Sequence, residues 1–183
     1  PHGLTLGGGC ELSMHADSVV AAAETYIGLV EFGVGLIPGG AGSKEMTLRA
    51  TSQFRKNDVE LNVLQEYFMN IGMAKVATSA YEAFDLGILQ QHKDLVIVNK
   101  DRQIAEAKKR VLSFAEQGYT QPIQRKDVKV LGKQALGMFL VGIDGMQAGD
   151  YISEHDKKIA SKLAYVMSGG DLSSSQTVSE QYL

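Results

Sequence analysis

Two glutamates stand in glycine-rich surroundings. Glu11 follows Gly7-Gly8-Gly9-Cys10, and Glu31 lies in a segment with Gly28 before it and Gly33, Gly35 and Pro38-Gly39-Gly40 after it. Three consecutive glycines ahead of an apolar helical pattern let backbone N–H groups approach a ligand with no side chain in the way. Carboxylates in such turns can move protons beside amides that hold developing negative charge. On pattern alone a plainer reading has equal weight: Glu11 as a first-turn acid favoured by the helix dipole, and Glu31 as a solvated turn residue.

Other chemistries fit the spacing less well. Gly33-Val34-Gly35-Leu36-Ile37-Pro38 begins like a dinucleotide fingerprint, but proline occupies the position of the third glycine, where helix and strand must pack. Gly39-Gly40-Ala41-Gly42-Ser43-Lys44 lacks the Gly-Lys-Ser/Thr order of a phosphate loop. His15 and Asp17 stand two apart on one helix, so they do not share a face, and no third metal ligand accompanies them. Cys10 reads as a small packing residue, and no Gly-x-Ser-x-Gly elbow occurs. Lys108-Lys109-Arg110 and Arg125-Lys126 could meet phosphates, although a solvated helix face explains such runs better.

The elements that must position the glutamates change texture along the chain. Half of the 20 glycines fall in residues 1–42, among short β-branched runs, as in an α/β layer of short elements. The pattern predicts a short helix over Glu11–Ala16, a strand over Ser18–Ala22, and a helix over Ser43–Ala50 with Ser43 as N-cap and Glu45 in its first turn. Residues 51–57 read as a polar loop. From Asp58 the recurrence of Val59, Val63, Tyr67 and Ile71 gives an apolar helical face. A short helix over Ser79–Phe84, an apolar segment at Leu95–Val98 and a helix over Arg102–Ala115 follow. Residues 124–183 read as helical, with loops at Gly145–Gly149 and at Ser168–Asp171.

Composition bounds the function classes. The 183 residues are 44% hydrophobic and 21% charged, as in a globular protein. A net charge of −3 with mixed signs gives no nucleic-acid footprint. The single cysteine excludes an internal disulfide framework and fits a reducing compartment, so a cytoplasmic location is expected. No apolar run approaches the length of a membrane span, and Pro1-His2-Gly3 does not open a signal peptide. Both ends read as cut, so the chain is expected to be a piece of a longer polypeptide.

The stretch His2-Gly3-Leu4-Thr5-Leu6-Gly7-Gly8-Gly9-Cys10-Glu11-Leu12-Ser13-Met14-His15-Ala16-Asp17 resembles the signature of the crotonase (enoyl-CoA hydratase/isomerase) superfamily. That signature is a Gly-x-x-x-Gly-Gly-Gly-x-Glu-Leu turn leading into a short helix that ends in Asp. The likeness continues through Ile27–Gly40, where a second glutamate precedes an Ile-Pro-Gly turn, and Glu31 stands 20 positions after Glu11 as in hydratases. Ala80–Leu89 resembles a further family segment. The specific part covers about residues 2–50, with weaker agreement to about 115.

The resemblance implies a partial crotonase ββα-spiral fold of the α/β class with a helical C-terminal region. Residues 1–120 would be the C-terminal half of a crotonase core, and 121–183 a helical extension. It implies Glu11 and Glu31 as catalytic residues, Gly8 as an oxyanion donor, and Gly7 and Gly39 in substrate-binding turns, with no metal. The activity implied is hydration of a trans-2-enoyl-CoA, as in fatty-acid β-oxidation. Related isomerases or thioester hydrolases, and a non-catalytic oligomerisation fragment, are the alternatives. An acyl-CoA is the implied substrate, no cofactor is implied within this segment, and a homo-oligomer is expected. Asn57–Ile71 reads as material added after Ala50, and the tail containing Gly145–Tyr151 and Ser168–Asp171 resembles bacterial bifunctional 3-hydroxyacyl-CoA dehydrogenase/enoyl-CoA hydratase chains. NAD would then belong to the rest of the parent chain. The missing upstream half would supply the second oxyanion N–H and much of the CoA surface, so the piece alone is expected to be weakly active or inactive.

Overall fold

The computed structural model describes residues 1–183. Strands β1 (Gly3–Leu6), β2 (Val20–Ala22), β3 (Thr25–Gly28), β4 (Leu95–Ile97), β5 (Val128–Val130) and β6 (Gln176–Val178) are interspersed with seven α-helices. The helices are α1 (Gly8–Met14), α2 (Gly42–Ser52), α3 (Glu60–Gly72), α4 (Ala80–Asp85), α5 (Gln103–Glu116), α6 (Lys133–Ala148) and α7 (Glu154–Ser168). The class is mixed α/β. No helix is long and apolar enough to cross a membrane.

The chain forms two units, each drawn from two segments: Pro1–Gly28 with Val76–Ile123, and Leu29–Lys75 with Gln124–Leu183. The chain passes from one unit to the other after Gly28, Lys75 and Ile123.

In the first unit, β1 pairs with β3 in parallel from Gly3↔Thr25 to Leu6↔Gly28, and the connection between them carries α1 and β2. A second parallel pair joins β2 to β4. Parallel pairing needs such crossovers, because a tight turn cannot reverse the chain twice. The buried Asp94 carboxylate accepts the Val19 and Gln90 amides, both at 2.8 Å, and so fixes the entry to β2. Gln103 at the start of α5 donates to the Pro1 and Val20 carbonyls, both at 2.7 Å.

The second unit is a helical layer with a small antiparallel pair, β5 with β6. Met46, Leu64, Ile71, Leu163 and Met167 are fully buried, and Phe68 stacks against Phe139 with ring centroids 4.7 Å apart. Val128 and Val130 pack with Leu48, joining the strands to α2.

Three local expectations need correction. Ser43 is not the N-cap of α2: Ala41, with φ 71°, holds that position, while the Ser43 hydroxyl donates to the Pro38 carbonyl at 3.1 Å and closes the preceding turn. Gly145–Gly149 is not a loop, since α6 runs to Ala148. Glycine within a helix costs about 1 kcal/mol, and packing against α7 outweighs it. Residues 124–183 are not helical throughout, because β5 and β6 lie there.

Candidate active site

In the first unit the glycine turn is a rigid junction. Gly7 has φ 54° and ψ −122°, a conformation open almost only to glycine, and its amide donates to the Gly28 carbonyl at 2.9 Å. The turn therefore continues the β1–β3 ladder and aims α1 from the strand ends. The first helical bond runs from the Glu11 amide to the Gly7 carbonyl at 3.0 Å, so the Gly8 and Gly9 amides precede the ladder. Gly8 is exposed, and a Cβ built on it meets nothing within 4 Å. Neither its backbone angle nor its packing requires glycine there, and the direction a side chain would take is open.

Glu11 lies one turn into α1 on the buried face with Cys10 and Met14, at 7% exposure. A purely dipole-favoured first-turn acid would be open to water, and carboxylates this buried are uncommon outside pairs and sites. Cys10 is fully buried with its Sγ 3.8 Å from the Met14 sulfur, a packing role. His15 is exposed at the end of α1, with Nδ1 2.7 Å from the Glu11 carbonyl. Asp17 accepts the Tyr119 hydroxyl at 2.5 Å, which holds that phenol's pKa above its usual value.

The basic runs turn out to be partly committed. Arg110 stacks over the Phe114 ring at 4.7 Å and donates to the Ser18 hydroxyl and Lys93 carbonyl, both at 3.3 Å. Lys108 and Lys109 are exposed. In the second unit, Arg125 donates to Ser52 at 2.7 Å and Asp127 at 3.1 Å.

Glu31 and Gly39 belong to the second unit. Glu31 is half-buried and opens a 3-10 turn, Glu31–Val34, capped by Gly35 at φ 78°. Its carbonyl accepts the Leu36 amide at 3.0 Å. Gly39 is exposed in the turn before α2. Farther along α2, Lys44 meets Glu180 at 2.8 Å and Glu45 at 3.5 Å. The Lys44 hydrogen bond, against the opposing effect of burial, holds the Glu180 carboxyl below its usual range. Burial pulls the Lys44 ammonium down, but the bond to Glu180 and the charge of Glu45 outweigh it and leave it raised.

Sequence reasoning passed over His155. Its Nε2 lies 2.7 Å from the Gly35 carbonyl, at the end of the Glu31 turn. The two are 120 positions apart, and no local pattern announces the contact.

Comparison with known proteins bears on these residues. A Bacillus subtilis protein named "probable 3-hydroxyacyl-CoA dehydrogenase" is 43% identical over 183 residues, all of this chain and 23% of its own length. A Rickettsia felis protein, named for the trifunctional enzyme of a fatty acid oxidation complex, is 38% identical over 111 residues, 61% of this chain and 14% of its own. A Rhizobium meliloti protein named "probable enoyl-CoA hydratase" is 41% identical over 59 residues, 32% of this chain and 23% of its own. The chain belongs to the crotonase superfamily. It spans under a quarter of the length of each of these relatives. No protein-family model matches it. Among solved structures, an enoyl-CoA hydratase subunit from Geobacillus kaustophilus aligns at TM-score 0.46 and 22% identity, covering 91% of this chain and 51% of that one. The crotonase assignment stands on the sequence matches.

Proposed function

We propose that this crotonase segment carries the proton-handling side of an enoyl-CoA hydratase that adds water syn to a trans-2-enoyl-CoA and yields a 3-hydroxyacyl-CoA. The observation that carries the reading is the glycine turn, with an exposed Gly8 whose Cβ direction is open, and a buried carboxylate, Glu11, one turn on. Retention of Glu31 in the family pattern favours hydration over the related chemistries.

Each role is carried over residue by residue. The Gly8 N–H donates to the thioester oxygen and holds the negative charge that builds there as water adds, an interaction worth about 10²–10³ in rate. Gly7 sets that amide, and Gly39 belongs to a substrate-binding turn. Glu11 takes the proton of the attacking water, whose oxygen bonds to Cβ while the double-bond electrons move into the enolate. By the family resemblance Glu31 gives a proton to Cα, which collapses the enolate to product. Protons then re-equilibrate with solvent. Coenzyme A is the carrier of the substrate, and no redox step occurs on this segment.

The relatives' names support a setting in fatty-acid oxidation within a longer polypeptide that also has 3-hydroxyacyl-CoA dehydrogenase activity. In that setting NAD serves the other part, the protein works in the cytoplasm as a homo-oligomer, and the remaining chain completes the oxyanion hole.

Glu11→Gln and Glu31→Gln, made in the full-length polypeptide, are the test. Each is expected to lower crotonyl-CoA hydration by about 10²–10⁴-fold while thioester binding persists. Hydration at the unmutated rate in either variant sinks the reading. Turnover of 3-enoyl but not 2-enoyl thioesters would replace it with isomerisation.

A further inference from the structure

We infer that His155 is a positioning residue for Glu31, an inference that rests on the hydratase reading above. The turn that carries Glu31 spans four residues, Glu31–Val34. So short a 3-10 segment has little stability of its own, because few backbone bonds repay its ordering. A carboxylate that must hold water and meet a carbon has to be fixed within about 0.5 Å. Something outside the turn must supply that precision.

Two contacts within the second unit do so. On one side, α3 packs against the turn, and Ala74, which follows α3 at φ 46°, stands beside Gly33, 3.7 Å from where a Cβ would be. On the other, the His155 imidazole donates through Nε2 to the Gly35 carbonyl at 2.7 Å. The same ring would lie 3.2 Å from a Cβ at Gly35, so glycine admits the imidazole as well as the left-handed cap.

His155 is well placed to brace the turn. It sits in the first turn of α7, where a reciprocal capping box joins Ser153 and Asp156. Helix α7 packs against α2, α3 and α6, so the imidazole ties the Glu31 turn to the helical layer of its unit. Both the neutral Nε2–H tautomer and the imidazolium can donate, so the brace does not depend on His155 being charged.

The experiment compares His155→Ala, His155→Gln, Gly35→Ala and Glu31→Gln in the full-length polypeptide, measuring kcat, KM for crotonyl-CoA and thermal midpoint. His155→Ala should lower kcat about ten- to a hundredfold with KM and midpoint nearly unchanged. His155→Gln, which keeps an N–H donor, should recover most of kcat, whereas Gly35→Ala, strained at φ 78° and crowded by the imidazole, should lower both kcat and the midpoint. If Glu31→Gln abolishes hydration while His155→Ala keeps full kcat, the inference fails and the hydratase reading stands. If His155→Ala lowers midpoint and kcat together and glutamine restores neither, the residue is merely structural and the inference also fails. If Glu31→Gln retains full hydration, the underlying reading falls and the inference with it.

Discussion

The Gly7 amide donates to the Gly28 carbonyl at 2.9 Å, one register step beyond the last pair of the β1–β3 ladder, Leu6↔Gly28. The strand end and the glycine turn are thus one piece of backbone. Gly7→Ala should strain this junction, since φ 54° with ψ −122° excludes a Cβ. A loss of about 1–3 kcal/mol, read from the denaturant midpoint of the full-length polypeptide, is the expected outcome.

Gly8→Ala should behave oppositely. A methyl group there meets no protein atom within 4 Å and alanine favours the helix, so the denaturant midpoint should hold. The methyl would stand where the thioester is proposed to approach. Hydration should fall about a hundredfold, and full activity would remove Gly8 from the site.

Arg110→Ala tests whether its guanidinium serves the fold or the coenzyme. Its bonds to Ser18 and Lys93 and its place over Phe114 predict a stability loss of about 1–2 kcal/mol. KM for CoA thioesters should not move. A large rise in KM at unchanged stability would reassign the residue to phosphate binding.

The Lys44–Glu180 pair makes part of the second unit's stability pH-dependent. The Glu180 carboxyl titrates below its unfolded value, so its contribution is fully present above about pH 5. As pH falls through the lowered folded value the carboxyl protonates and that contribution is lost. Glu180→Gln should remove this part of the acid limb and cost no more than about 1 kcal/mol at neutral pH, measured by denaturant titration from pH 3 to 7.

How much could be read from the sequence depended on how locally each feature was determined. The glycine turn and α1 announce themselves because Gly7 needs an angle few residues can take and an apolar pattern follows at once. Helices α3 and α5 are legible from long apolar faces. Strands β5 and β6 are not, since three residues give too little alternation to separate them from loop. Gly145 reads as the start of a loop, yet lies inside α6 because packing on α7 decides there. Ser43 has the chemistry of a cap, but the carbonyl of Pro38 competes for its hydroxyl and wins. His155 was invisible for a related reason: its partner is a backbone carbonyl 120 positions away, and a carbonyl leaves no mark on residue type.

The interleaving of the two units has a consequence for synthesis. Segment Leu29–Lys75, with α2 and α3, belongs with Gln124–Leu183, and the chain between them builds the other unit. A ribosome adding about 5–20 residues per second delivers Leu183 roughly 5–20 s after Lys75. Throughout that interval the apolar faces of Met46, Leu64 and Ile71 have emerged without α7 to cover them. The nascent chain therefore passes through a window in which a chaperone, or a neighbouring nascent chain, meets those faces before their own partner does.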